Sequence, residues 1–261
     1  MIKTKVIGRV FRQDEIADQI YDMWIETELA QGARPGQFVC VYTKNAAALL
    51  PRPISICEVN EEKTMLRLVY RTVGTGTNEF AAYHAGTEIS LLGPLGNGFP
   101  VEKAAGKRVF LIGGGIGIPP MLQLSKEIKK AGQAYCELSV LGYRNELFLN
   151  TDLEKYSQVY VATEDGSAGT KGTVLDAIKE KGLSGDVIFA CGPMPMLRAI
   201  KEYAAANNME AYISLEEHMA CGVGACLGCV CKTKNVDAHS HVHNSRICTD
   251  GSVYNAEEVE I

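Results

Sequence analysis

Four of the nine cysteines fall within eleven positions of the stretch "MACGVGACLGCVC", residues 219–231, and Cys248 follows with eighteen residues between it and Cys229. Cys221, Cys226 and Cys229 are spaced C-x4-C-x2-C. Plant-type two-iron clusters use that spacing with a remote fourth cysteine, whereas structural zinc sites pair two tight knuckles. Only one such knuckle is present here. The small residues Gly222, Gly224, Ala225 and Gly228 let the backbone fold over the sulfides and donate N–H bonds to them, which raises the reduction potential. The reading is a [2Fe-2S] cluster on Cys221, Cys226, Cys229 and Cys248, with zinc as the alternative. Cys231 is a fifth thiol for four places; in an extended segment it points the same way as Cys229 and competes for a ligand position. Cys248 is preferred because a cluster normally takes three ligands from one loop and one from a distant strand. In "HSHVH", His239, His241 and His243 share one face of an extended chain. They are not paired closely with cysteines, as a Rieske centre requires, so a solvated loop is the plain reading and adventitious metal binding the sharper one.

A second group of residues suits phosphate. "VFLIGGGIGIPPML" is a strand, a glycine turn and a helix start, with Pro119 and Pro120 in the first helical turn. The dinucleotide fingerprint G-x-G-x-x-G fails: counted from Gly113 the sixth residue is Ile118, and from Gly115 it is Pro120. A glycine turn at the end of a strand still admits a pyrophosphate to the backbone and the helix N-terminus, though a plain tight turn explains it as well. In "VIFACGPMPML" a strand stops at Cys191 and Gly192 and a helix begins after Pro193. Ligands bind at such carboxyl ends in open α/β sheets, while Cys191 alone reads as a small buried hydrophobe. Thr163, Glu164 and Asp165 follow another strand; an acidic residue there accepts hydrogen bonds from a ribose and opposes a 2′-phosphate, favouring NAD over NADP. A solvated acidic loop is the competing reading.

A third group lies nearer the N-terminus. Arg52 sits between two prolines in "LLPRPISIC", and Ser55, three residues on, falls on the opposite face of an extended strand unless the strand twists. An arginine pairs with phosphate and a serine hydroxyl bonds a ring nitrogen. "YRTVGTGTNEF" offers Tyr70 for stacking, then Gly74, Gly76 and Thr77 before a short helix, an anion seat with Thr77 as N-cap. A structural hairpin would explain these residues equally well.

The elements that must position these groups divide the chain in three. Residues 1–100 read as six short strands broken by turn residues, an antiparallel barrel or sandwich, closing with "GPLGNGFP", which breaks any regular element. Five apolar runs then alternate with helical stretches over about 106–213, the rhythm of parallel βαβ units in a doubly wound sheet. From 215 the cysteine section is too small and polar to build its own core. The fold class is therefore α/β plus all-β, with boundaries at 1–100, 101–214 and 215–261. A formal charge of −5 without basic runs excludes nucleic acid and a membrane surface as principal partners. No apolar h-region and no run of eighteen apolar residues occurs, so a cytosolic protein with reduced, metal-binding thiols is expected.

In combination these motifs are specific. The order "RPIS", "GT" before a helix, "GGGIGIPP" and "CGPMPML" resembles the ferredoxin reductase family of flavoproteins. The resemblance implies that Arg52, Pro53, Ile54 and Ser55, with Val69, Tyr70 and Arg71, contact FAD. Arg52, Gly76 and Thr77 would hold its phosphates, and Ser55 would bond near flavin N5. Gly115, Gly117 and Pro120 would hold the pyrophosphate of NAD, with Cys191, Gly192 and Pro193 by the nicotinamide. The section "SLEEHMACGVGACLGCVC" with "ICTDGSVYNAEEV" closely resembles the end of class B dihydroorotate dehydrogenase electron transfer subunits, and the likeness runs along essentially all 261 residues. It implies an FAD-binding barrel, an NAD-binding domain and a [2Fe-2S] domain. The implied partner is an FMN-containing catalytic subunit in a heterotetramer of two of each, delivering electrons to NAD+ in pyrimidine biosynthesis. This chain would then hold no dihydroorotate site and no catalytic residue of its own. The interval from Cys229 to Cys248 is longer than usual for that family. An electron transfer subunit serving ferredoxin or sulfide chemistry would share most motifs, and a zinc-stabilised interaction module is the non-enzymatic alternative.

Overall fold

The computed structural model describes residues 4–236 and 241–261. The N-terminal strands β1 (Thr4–Ala17), β2 (Ile20–Glu26), β3 (Phe38–Tyr42), β4 (Arg52–Val59), β5 (Met65–Arg71) and β6 (Glu88–Leu95) close into an antiparallel barrel in the order β1-β2-β5-β4-β3-β6. Their alternating side chains fill it: Val10, Ile25, Val39, Ile56, Leu66, Leu68 and Leu91 are all buried in one cluster. The helix α1 (Thr75–Ala81) follows β5. "GPLGNGFP" does not end the strand as expected. Gly93, Pro94 and Leu95 belong to β6, where Leu95 pairs with Phe38, and the break comes at Gly96.

The second region builds on β7 (Arg108–Gly114), β8 (Cys136–Tyr143), β9 (Gln158–Thr163), β10 (Thr170–Lys171), β11 (Val187–Cys191) and β12 (Glu210–Ser214). The helices are α2 (Pro119–Ala131), α3 (Asn150–Leu153), α4 (Val174–Glu180) and α5 (Met194–Ala206). Five parallel strands were anticipated; six form, because the two-residue β10 also pairs with β9. A seventh, antiparallel strand is supplied by the C-terminal section: β15 (Val253–Asn255) pairs with β12. The sheet order is β10-β9-β8-β7-β11-β12-β15. Alternation along β7 serves both layers of a doubly wound sheet: Val109 and Leu111 face α2, while Phe110 and Ile112 face α4 and α5.

The remaining strands β13 (Val230–Lys232) and β14 (Asn244–Arg246) form a two-stranded hairpin. Among the described residues, the cysteine section has no separate core. Its Met219, Cys229, Ile247, Cys248 and Tyr254 are buried in the same cluster as Phe38, Cys40 and Leu95 of the barrel and Ile213 of the sheet.

Barrel and sheet are joined through α2 and a charged knot. The Gln123 Oε1 accepts the Val59 N–H at 2.8 Å, and Lys126 Nζ reaches Glu58 at 3.1 Å. Arg67 on β5 binds Asp22 at 2.8 Å, Glu58 at 3.1 Å and, across the junction, Asp152 at 3.0 Å. Among the described residues, no helix is long and apolar enough to cross a membrane.

Candidate functional site

The two glycine-bearing motifs of the sheet meet at its switch point. The chain winds from β7 through β8 and β9 on one side, while β11 flanks β7 on the other, so the crevice above β7 and β11 is where such sheets take ligands. Cys191 is paired with Gly113 there. Gly117 packs so closely on the second motif that a Cβ would lie 2.4 Å from the Cys191 carbonyl oxygen and 2.6 Å from Gly192 Cα. Gly115, with φ +52°, faces open space. Pro119 and Pro120 open α2, and Pro193 is the N-cap residue of α5, so both helix N-termini lie at this crevice. The Cys191 thiol is fully buried, and burial pushes its pKa well up despite a hydrogen bond with Ser214. It is a neutral packing group; what the segment presents outward is Gly192 and the exposed Pro193. At the end of β9, Thr163 is buried and spends its hydroxyl on Ala168, whereas Glu164 and Asp165 are exposed.

The barrel residues converge on a second seat beside this one. The turn Gly115–Gly117 lies against β5. At the far end of β4, the Arg52 side chain lies flat on α1: a Cβ on Gly76 would fall 2.1 Å from Arg52 Nε. The backbone N–H groups of Thr75, Gly76 and Thr77 open α1 without intrahelical acceptors, so guanidinium and helix start face one place. The N-cap is Gly74, not Thr77 as the sequence reading had it. Thr77 stands three residues in, where its hydroxyl accepts the Val73 N–H at 2.9 Å and the Gly74 N–H at 3.3 Å. β4 keeps regular register with β3 from Arg52 to Ser55, so these two side chains do lie on opposite faces. Ile54 turns into the barrel core, and Ser55 and Pro53 are half-buried on the other face.

Tyr70 is not available for stacking. It is 3 % exposed, its ring held by Tyr21 at 5.9 Å and Phe80 at 6.1 Å and its hydroxyl by Gln13 Oε1 at 2.8 Å. Burial pushes its pKa well up. Val69 is also buried, packed with Ile118 at the junction, while Arg71 is exposed.

The four thiols read as cluster ligands stand in two pairs. Cys221 Sγ accepts backbone N–H bonds from Val223 at 3.4 Å, Ala225 at 3.3 Å and Cys226 at 3.4 Å. Burial raises its pKa, but these donors and the neighbouring Cys226 thiol outweigh it and bring the value to about 6, so a thiolate is favoured at neutral pH. Cys226 Sγ accepts the Gly228 N–H at 3.5 Å. The β13–β14 hairpin brings Cys229 to Cys248; the Ile247 N–H donates to the Cys229 carbonyl at 2.9 Å, and the two thiols hydrogen-bond. Burial and that thiol push Cys248 up to about 12. A backbone that already aims N–H groups at sulfur suits a thiolate-bound cluster. Among the described residues, no group of three or more His, Cys, Asp or Glu could hold a single metal ion.

Cys231 is drawn the other way. It hydrogen-bonds with the Tyr254 hydroxyl, which also meets Ser245 Oγ at 2.9 Å. His239 lies outside the described residues; His241 is exposed, and His243 Nδ1 is 2.9 Å from the Lys234 carbonyl. The loop leans on the barrel, where a Cβ on Gly222 would sit 3.1 Å from both Cys40 Sγ and Leu95 Cδ1. The sequence reading missed Tyr254, which takes Cys231 aside, and Asn97, which binds the segment after Cys248. Only the glycines flanking Asn97 signalled an exacting turn.

Comparison with known proteins accords with this layout. Residues 216–260 match the family model described as the iron-sulfur cluster binding domain of dihydroorotate dehydrogenase B, and residues 111–202 match the oxidoreductase NAD-binding domain. The dihydroorotate dehydrogenase B (NAD(+)) electron transfer subunit of Geobacillus sp. (strain WCH70) is 42% identical over 255 residues, 96% of each chain. That of Listeria monocytogenes is 40% identical over 262 residues, the whole of each chain. The chain belongs to this family of electron transfer subunits. Among solved structures, the NADH-dependent reduced ferredoxin-NADP oxidoreductase studied for flavin-based electron bifurcation is similar at TM-score 0.86 and 28% identity, over 98% of this chain and 90% of that one. A ferredoxin NADP+ reductase from Neisseria gonorrhoeae shares the fold at TM-score 0.65 and 15% identity, covering 78% of this chain and 91% of that one.

Proposed function

We propose that this chain carries electrons from a dihydroorotate-oxidising, FMN-containing catalytic subunit to NAD+, with FAD seated between barrel and sheet and a [2Fe-2S] cluster in the cysteine section. The observation that supports this reading is the contact of β5 with the Gly115–Gly117 turn, which brings strand residues assigned here to FAD beside the turn assigned to the dinucleotide pyrophosphate. Bound FAD exchanges two electrons as a hydride or one at a time and a two-iron cluster carries one, the combination needed to join a hydride acceptor to a one-electron relay.

The chain's own residues bind and orient. Arg52 and the N–H groups that open α1 neutralise the FAD phosphates, and Ser55 offers its hydroxyl to a flavin ring nitrogen. Pro53, Ile54 and the backbone of Val69, Tyr70 and Arg71 border the flavin. Gly115, Gly117 and Pro120 let a dinucleotide pyrophosphate approach the N-terminus of α2, and Gly192 and Pro193, backed by buried Cys191, border the nicotinamide. The exposed Glu164 and Asp165 suit ribose hydroxyls and oppose a 2′-phosphate, which favours NAD. Cys221 and Cys226 form one ligand pair, Cys229 and Cys248 the other. Two copies of each subunit make a cytosolic heterotetramer, and dihydroorotate binds on the partner alone.

The test is reconstitution. Dihydroorotate should reduce NAD+ when this chain and the catalytic subunit are mixed, and with neither alone. Equally fast NAD+ reduction by reduced ferredoxin, with neither dihydroorotate nor the catalytic subunit present, would favour the rival reading as another NAD(P)H-linked electron transfer subunit.

A further inference from the structure

The segment "GPLGNGFP" does more than join the barrel to the sheet. Asn97, at the exit of β6, makes four hydrogen bonds to the stretch that follows Cys248. Its backbone N–H donates to the Gly251 carbonyl at 2.5 Å, and its side-chain Nδ2 donates to Asp250 at 3.1 Å and Val253 at 2.7 Å. Its Oδ1 accepts the Val253 N–H at 3.1 Å.

Val253 begins β15, the edge strand of the seven-stranded sheet. Its N–H and C=O point away from β12, and the Asn97 amide satisfies both, as one residue of a further strand would. Close approach is what the flanking glycines allow: a Cβ on Gly96 would lie 2.8 Å from the Gly251 carbonyl, and one on Gly98 would lie 2.7 Å from the Pro35 carbonyl. The same knot takes in the entry to β3, where Gln37 Nε2 donates to the Gly96 carbonyl at 2.7 Å and Ser252 Oγ to the Gly36 carbonyl at 3.0 Å.

Cys248 stands two residues before Asp250, and β4, with Ser55, pairs with the strand that Gln37 precedes. One side chain therefore ties the cluster-bearing loop, the flavin-bearing barrel and the sheet edge. We propose that Asn97 is a positioning residue that fixes the cluster relative to the flavin. This rests on the function proposed above, and Asn97 touches neither cofactor seat.

The test is anaerobic stopped-flow reduction of the holoprotein by NADH, with flavin and cluster followed at separate wavelengths, in the parent and in Asn97→Ala. Flavin and iron contents and the rate of flavin reduction should be unchanged. Cluster reduction should slow severalfold, because electron transfer falls off exponentially with the separation of donor and acceptor, and the Val253 amide should exchange with deuterium faster. Should Asn97→Ala fail to fold, Asn97→Asp keeps the acceptor for Val253 N–H and sets its second oxygen against two carbonyls, with the same outcome expected. Cluster reduction at the parent rate despite faster Val253 exchange would overturn the proposal, as would parallel slowing of flavin and cluster. A parent protein that binds neither flavin nor iron would sink the functional reading itself, and its spectrum shows this before any variant is made.

Discussion

Arg52 lies against Gly76 so closely that a methyl group on Gly76 would fall 2.1 Å from Arg52 Nε. The strand start and the helix start therefore form one seat only because residue 76 has no side chain. Gly76→Ala leaves the backbone in place and displaces a flexible guanidinium. The protein should fold with its iron intact and release FAD more readily, about tenfold, the loss of one charge-assisted hydrogen bond. Flavin retained after dialysis, read from the visible spectrum, checks this; unchanged retention would remove Arg52 from the flavin seat.

Arg67 is 7 % exposed and Asp22 4 % exposed, and the same guanidinium reaches Asp152 across the junction of barrel and sheet. Its pKa is raised by these carboxylates against the opposing effect of burial. Arg67→Met strands a buried carboxylate, which costs about 3–5 kcal/mol. The urea midpoint should fall accordingly, and Asp22→Asn placed on top should recover part of the loss.

Glu137 on β8 is partly buried beside Ser125, 3.2 Å away, and burial raises its carboxyl from 4.5 to about 7, more than Ser125 and Lys129 lower it. The folded state therefore holds the proton more tightly than the unfolded state, and stability from this group is full below about 4.5 and lost as pH rises towards 7. Glu137→Gln should raise the melting temperature at pH 8 relative to the parent, and the gap should close towards pH 4. A gap constant across that range would contradict the burial argument.

Cys231 and Cys248 part company in the fold, one with Tyr254 and the other with Cys229. Cys231→Ser should keep the iron content and visible spectrum of the parent, and Cys248→Ser should lose both. The reverse result would exchange their roles.

Much of this was legible in the sequence, for physical reasons. The barrel strands come as short β-forming runs broken at regular spacing by turn residues, and the runs that became β7, β8, β9, β11 and β12 are continuous enough to mark a buried parallel sheet. β10 and β15 were not legible: stretches of two and three residues carry no periodicity, and β15 is a strand only because β12 offers it an edge. Tyr70 promised an exposed ring, yet the barrel core claims it through Tyr21 and Phe80. Thr77 was rightly tied to the start of a helix and misplaced within it, since Gly74 takes the cap. The order of the thiols was visible from spacing, but their pairing depends on the β13–β14 hairpin, a contact between distant residues that spacing does not encode.

The most direct measurement is the visible spectrum of the anaerobically purified chain, with flavin and iron analysis, before and after NADH. The account predicts one FAD and two irons per chain, and bleaching of both flavin and cluster bands on addition of NADH. A colourless protein holding zinc and no iron, or a flavin that NADH does not reduce, would contradict it.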